Sequence, residues 1–473
     1  MNFCSQKFLL FFAIIFACYW ALPGRRSRVW FLLAASFYFY ACWSNQLALI
    51  VCVSTLLDYL LALGMERATV NWRRRLLLCV SLTANLGLLC YFKYVNFFLD
   101  SLTQALHAAG STTTLGTLKI LVPIGISFYT FEAINYTVEV YRRRIRAERN
   151  LGDFMLFILF FPHLVAGPIV RARDFLPQIK RLKRWDWARL FLGTGYIVMG
   201  VVKKMAIADR MAEYADPIFA APSAYRGEAI LIATIAYAVQ IFCDFSGYTD
   251  MAIGMAHLFG YKLSQNFNMP YLAVNVADFW RRWHISLSTW LRDYLFIPLG
   301  GSRGSRWQTA RNLMITMTLG GLWHGASWTF VFWGVLHGVL LIGHRIFRGF
   351  SERRPLLDRA FQSAPGTALR ILLTFGCIAV GWVFFRSPTF AGALTLLHRL
   401  MAWSPGLGTP LPRVGLVNTL IFMWVCHAVA CWTPWKKMWR LPAPIWGFAY
   451  AMAIILAQVL APDAGKAFIY IQF

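Results

Sequence analysis

Long apolar runs separated by short basic loops dominate this chain. Runs of spanning or near-spanning length lie at 8–22, 29–44, 46–64, 76–99, 118–134, 189–208, 228–247, 311–343, 368–385, 414–432 and 443–461. A helix needs roughly 20 residues to cross the hydrocarbon core, and about 17 suffice with interfacial flanks, so the pattern predicts an all-α polytopic membrane protein with about eleven transmembrane helices. The 311–343 run is too long for one helix; Gly320 and Gly321 predict a break inside it, giving a shorter or re-entrant piece and then a full span. Two further runs, "FMLFILFFPHLVAGPIV" and "VADFWRRWHISLSTWLRDYLF", are interrupted by polar residues and read as interfacial or half-inserted. Phe8 to Leu22 has no basic stretch before it and no small-residue cleavage site before Arg25 and Arg26, so it reads as a first span and not a leader.

Composition agrees with the pattern. The 473 residues are 59% hydrophobic and 14% charged, outside the range of a soluble domain. The net charge of +26 would suggest nucleic acid on a soluble chain, but here the cations sit in short loops between apolar runs. That is the signature of membrane topology and anionic headgroups, so membrane lipids are expected partners and nucleic acid is not. Arg25, Arg26 and Arg28 follow the first run, Arg67 and Arg73 to Arg75 the third, and Arg142 to Arg144, Arg146 and Arg149 the fifth; Asp100 to Thr117 holds no Lys or Arg. Basic loops belong in the cytoplasm, which puts the N-terminus outside. The ten cysteines are scattered through apolar runs without C-x-x-C spacing and frame neither disulfides nor a zinc site. No repeat, low-complexity tract or hydrophilic domain interrupts the chain.

Several polar residues stand out against this background. In "GGLWHGASW", residues 320–328, His324 lies in a run with no charged residue between Asn312 and His337. A buried neutral imidazole can take a proton from a hydroxyl and pass it on, and flanking glycines let a substrate approach; the plainer alternative is a histidine bonded between helices. In "DFWRRWHISLSTWLRDYLFIPLGG", residues 278–301, helical spacing puts Trp280, Trp283, Leu287, Trp290 and Leu291 on one face, with His284 at its edge. An amphipathic helix at the headgroups explains all of these except His284. Asp244 and Asp250 in "CDFSGYTD" could bind a cation, but a helix break capped by Asp is the simpler reading. No histidine pair has metal-ligand spacing, so no metal is expected. H-x-x-x-x-D, P-loop and D-x-D motifs are absent from the sequence.

The 278–301 segment, followed forty residues after His284 by His324 in "LGGLWHGASW", closely resembles the membrane-bound O-acyltransferase (MBOAT) family, in particular its bacterial alginate O-acetyltransferase-like branch. "PIGISFYTFEAINYTVEVYR", "FFPHLVAGPIVRARDFLPQI", "GVVKKMAIADR", "FCDFSGYTDMAIGMAHLFGY", "GWVFFR" and "FIYIQF" extend the match in order over most of the chain. The resemblance implies one membrane domain over 1–473: N-terminal spans in 1–150, a catalytic core with re-entrant and interfacial segments in 151–345, and C-terminal spans with a terminal Tyr motif in 346–473. It also implies a ring of helices around a thin catalytic centre. His324 matches the family's essential histidine, and His284 its second, more variable polar position. The implied donor is acetyl-CoA from the cytoplasm, with Arg281, Arg282, Arg292 and Trp323 assigned to it, and Lys203 and Lys204 as further cations for its phosphates; topology and headgroup contact explain the cations equally well. Tyr470 in "FIYIQF" resembles a terminal tyrosine that relays the acyl group, or else anchors the chain at the interface.

The expected setting is a bacterial inner membrane, with a periplasmic N-terminus. The expected acceptor is an exopolysaccharide of alginate or cellulose type, reached through a periplasmic SGNH-type acetyltransferase alongside a polysaccharide synthesis complex. Met269 in "NFNMPYLA" departs from the basic residue of many alginate-type relatives, which weakens alginate as the polymer. The rival expectations are a peptidoglycan or teichoic-acid acyltransferase and a non-enzymatic acyl or glycan transporter. Transporters favour inverted repeats with paired broken helices, and none is visible in the sequence.

Overall fold

The computed structural model describes residues 3–123, 125–165, 167–431, 441–462 and 468. Among them every regular element is helical, apart from one isolated bridge pairing Tyr225 with Leu407. Seven helices are long and apolar enough to cross a membrane: Asn45–Arg67, Asn71–Ala108, Trp187–Ala220, Gly227–Leu258, Trp328–Ser351, Ala364–Arg386 and Ala443–Leu460. Three shorter apolar helices, Gln6–Ala21, Phe390–Met401 and Arg413–Met423, accompany them. The hydropathy pattern predicts about eleven spans because it scores apolar runs wherever a helix begins. In the 118–134 run, for example, the helix starts only at Ile126, ends at Tyr141, and is buried on nearly all of its surface.

The chain divides into two compact units, Met1–Ile197 with Met251–Ser264, and Val198–Asp250 with Gln265–Phe473. In the first, buried polar groups tie helices whose packing faces are otherwise apolar. Arg74, 5% exposed, donates to the carbonyls of Met65, Val140 and Tyr141, the C-terminal ends of two helices. A cation suits that place because the last carbonyls of a helix carry its negative dipole end. Asp58 accepts from Ser81 and Asn85, and Arg25 Nη1 donates to both carboxylate oxygens of Asp153 at 2.8 Å. Gly125 sits at φ +76°, with the Leu164 carbonyl 2.4 Å from where a Cβ would stand. No other residue fits there.

In the second unit, a π-helical turn over Val202–Ala208 carries Lys203 and Lys204. The extra residue of a π turn breaks the regular rotation of side chains around the helix. Lys203 reaches Asp250 at 2.6 Å, and Lys204 reaches Asp209 at 2.8 Å and Asp244 at 2.6 Å. This corrects the expectation of a helix break capped by Asp, because the helix runs unbroken from Gly227 to Leu258. The two aspartates answer lysines instead.

A second correction concerns the 311–343 run. The helix Arg306–His324 passes through Gly320 and Gly321, and the break falls at 325–327, where Gly325 is extended and Ser327 caps the helix Trp328–Ser351. Gly321 and Gly334 serve close packing: a Cβ on the first would stand 2.3 Å from the Phe330 carbonyl, and on the second 2.3 Å from the Met317 carbonyl. Small residues that let two backbones touch are the usual way for membrane helices to associate, and Gly334 and Gly338 form a G-x-x-x-G pair.

Candidate active site

The segment carrying His284 does not form the single amphipathic helix that its spacing predicts. It is a helix Val276–Arg282, a break, a second helix Ile285–Leu291, and a π turn Arg292–Phe296. The break is at His284, whose φ of +42° is left-handed, a region that few non-glycine residues enter. Asn266 holds it there. Its carbonyl accepts from Ile285 N at 2.9 Å, and its side-chain oxygen accepts from the Ser286 backbone and hydroxyl at 3.1 and 2.9 Å. The apolar face is realised locally, with Trp283, Leu287, Trp290 and Leu291 all buried.

His324 ends the helix Arg306–His324, so its ring projects where the chain turns back toward Trp328. Its ring centroid lies 5.1 Å from Trp333, 5.3 Å from Phe385, 5.0 Å from Trp323 and 6.5 Å from His284. His284 in turn packs against Phe245 at 4.7 Å and Trp323 at 5.9 Å. Both histidines are buried, His284 at 0% exposure and His324 at 3%. Trp323, assigned to the donor on resemblance, packs against both, with ring centroids 5.9 Å from His284 and 5.0 Å from His324.

Burial pushes the His284 imidazole down to about 3 from its ordinary 6.5, so it is neutral at physiological pH and can offer one N–H or one lone pair. Because the folded value lies below the unfolded one, stability is full above pH 6.5 and falls as pH drops through the window from 6.5 to 3. The expected slope from this residue is about 1.4 kcal/mol per pH unit. Thermal unfolding in detergent between pH 4 and 7 checks it, on the scale set by the ordinary value: His284→Asn flattens the profile, and an unchanged profile contradicts a neutral buried imidazole.

The other candidates lie apart from the pair. Arg281 is exposed and meets Asp278 at 3.6 Å; Arg282 holds the same carboxylate at 2.9 Å; Arg292 pairs with Asp293 at 2.8 Å. All three are arginines with part of their donor capacity already engaged, and the first and last keep exposed guanidinium surface. Lys204 is buried between carboxylates, away from any exposed surface. Tyr470 lies outside the described residues. Phe468, two positions earlier, packs against Tyr248 at 4.3 Å and Phe245 at 5.9 Å. Sequence reasoning missed Phe245, Trp333 and Phe385, although two of the family-like segments, "CDFSGYTD" and "GWVFFR", contain the first and the last. Among the described residues no three His, Cys, Asp or Glu side chains gather as a metal ion requires.

Helices crossing a membrane several times, with two imidazoles buried among aromatic rings, define a multi-pass membrane protein with a candidate site in one of its units. The model of the membrane-bound O-acyltransferase family matches residues 82–383. The chain is 40% identical to the probable alginate O-acetylase AlgI of Pseudomonas aeruginosa, over 90% of this chain and 81% of that one. It is 36% identical to the peptidoglycan O-acetyltransferase of Helicobacter pylori, over 79% and 73%. With the teichoic acid D-alanyltransferase of Bacillus subtilis it shares 30% identity over 56% and 69%. The chain belongs to the membrane-bound O-acyltransferase family, within its alginate O-acetyltransferase-like branch, and is an O-acyltransferase of the acetyltransferase kind.

Proposed function

We propose that this protein takes acetyl from cytoplasmic acetyl-CoA at a site centred on His324 and delivers it across a bacterial inner membrane for O-acetylation of an exopolysaccharide of alginate or cellulose type. The observation that carries the reading is the buried pair His284 and His324, 6.5 Å apart among aromatic rings. His324 acts as general base. It takes the proton of the acceptor hydroxyl as that oxygen attacks the thioester carbonyl carbon; the carbon–sulfur bond then breaks, and the CoA thiolate leaves and collects the proton. The C-terminal end of its helix faces the positive charge that the ring gains in this step, a favourable arrangement. His284, neutral, donates its N–H to the carbonyl oxygen as charge develops there. Water is kept out by the rings of Trp323, Trp333 and Phe385, which strengthens both interactions. Arg281 and Arg292, exposed on the same segment as His284, are assigned to the phosphates of the donor.

Tyr470 is assigned as the acceptor hydroxyl, relaying acetyl to a serine of a periplasmic SGNH-type transferase that works with the polysaccharide synthesis complex. The packing of Phe468 against Phe245, itself in contact with His284, supports this. The similarity to an alginate O-acetylase supports the polymer class, and the N-terminus is taken as periplasmic from the basic loops. Purified protein incubated with radiolabelled acetyl-CoA is expected to acquire label that Tyr470→Phe lacks, and cells carrying that variant are expected to make unacetylated polymer. Full polymer acetylation in Tyr470→Phe cells rules out the relay.

A further inference from the structure

The helix break that presents His284 is splinted by a segment to which the acetyl-transfer chemistry assigns no part. Asn266, Phe267 and Asn268 lie along the break. Before it, Asn268 N–H donates to the Arg282 carbonyl at 2.9 Å; after it, the Asn266 carbonyl accepts from Ile285 N–H at 2.9 Å. Phe267, between the two, packs on Trp283 at 5.1 Å and on Phe245 at 5.0 Å, and His284 meets that same Phe245 ring at 4.7 Å.

Asn266 adds a contact that no apolar side chain supplies. Its amide faces Ser286 N–H, which can only donate, so the facing atom is Oδ1; the Ser286 hydroxyl donates to the same oxygen, the two bonds being 3.1 and 2.9 Å. Asn266 is 0% exposed, so bulk water does not compete for these bonds. They fix the residues that follow a φ of +42° at His284, a conformation that the Cβ of a non-glycine residue disfavours. Relaxing that angle to the ordinary value near −60° turns the Cα–Cβ bond by about 100° around the N–Cα axis. Such a turn carries the imidazole away from its place 6.5 Å from His324.

We propose that Asn266 is a positioning residue of the transfer reaction: by accepting two hydrogen bonds from Ser286 it holds the left-handed turn that keeps the His284 ring beside His324. It acts through His284, and the proposal rests on the proposed role of His284 as donor to the carbonyl oxygen. A contact that is only structural lowers stability. A positioning contact also lowers kcat, and does so only while there is an imidazole to position.

The test is a double-mutant cycle on the full-length protein in detergent, read as CoA release from acetyl-CoA and as thermal midpoint. The second background is His284→Gly, because glycine removes the imidazole and adopts a φ of +42° without strain. With His284 present, Asn266→Ala is expected to lower kcat by roughly ten- to hundredfold, the effect of a misplaced catalytic group, and to leave the KM for acetyl-CoA within about twofold. With Gly at 284 the same change is expected to cost less than about twofold in kcat, although the thermal midpoint falls in both backgrounds. Equal losses of kcat in the two backgrounds, or a full rate in Asn266→Ala, overturn the proposal. If Asn266→Ala fails to fold, Ser286→Ala deletes one of the two bonds and leaves the backbone bond in place; its expected loss is roughly two- to fivefold with His284 and none with Gly, and equal losses overturn the proposal in the same way. The two readings fail differently. His284→Gly protein at the wild-type rate removes His284 from the chemistry and this proposal with it, whereas slow His284→Gly beside fast Asn266→Ala leaves the role of His284 standing and rejects the positioning role alone.

Discussion

Replacing His324 by Gln is expected to lower acetyl transfer by two to four orders of magnitude, the usual contribution of a positioned general base. Gln keeps a polar group of similar reach but cannot accept and hold a proton near neutral pH. The variant should fold, because the ring packs against Trp323, Trp333 and Phe385 at an open helix end and not inside a regular turn. Donor affinity should change little, since the loss is confined to the step in which the proton moves. The measurement is release of free CoA under saturating acetyl-CoA, with binding followed separately by titration. His324→Gln protein that turns over at more than a tenth of the wild-type rate removes this residue from the chemistry, whatever becomes of His284. A parallel His284→Gln variant should lose less, on the scale of one oxyanion donor, about 10²–10³-fold.

Much of this arrangement was legible in the sequence, and the exceptions have physical causes. His324 stood out because a titratable group at membrane depth is costly to bury. Its pairing with His284 came from resemblance, since forty residues separate them and no periodicity links them. The left-handed turn at His284 was invisible, because nothing local marks it and the constraint comes from Asn266, whose side chain and carbonyl hold the next two residues. Gly320 and Gly321 were misread as a break. Glycine in a membrane helix marks either a break or a close approach, and only the opposing Gly334 shows which. The partners of His324 on the following helix and on Ala364–Arg386 depend on that close approach, so they could not be read from spacing alone.

Lys204→Met is expected to destabilise the second unit by about 3–5 kcal/mol, the cost of removing one partner from a buried charge cluster. The lysine is 2% exposed, and it bridges Asp209 and Asp244, themselves 4% and 2% exposed, through bonds of 2.8 and 2.6 Å. Methionine matches its length and apolar stem, so lost packing adds little and the penalty falls on two carboxylates brought together without their cation. The effect should extend toward the site. The Lys204 ammonium also stands 5.7 Å from the Tyr248 ring, and that ring packs against Phe468 at 4.3 Å. Acetyl transfer should therefore fall even at temperatures where the variant remains folded. Adding Asp209→Asn and Asp244→Asn to Lys204→Met should restore most of the stability, because the amides can hydrogen-bond without carrying charge; a triple variant no more stable than Lys204→Met shows that the lysine acts by packing and not by neutralising the aspartates. Thermal midpoints of the three proteins in one detergent, read beside their CoA-release rates, separate these outcomes. Recovery of stability without recovery of transfer would locate the loss at Tyr248 and its contact with Phe468.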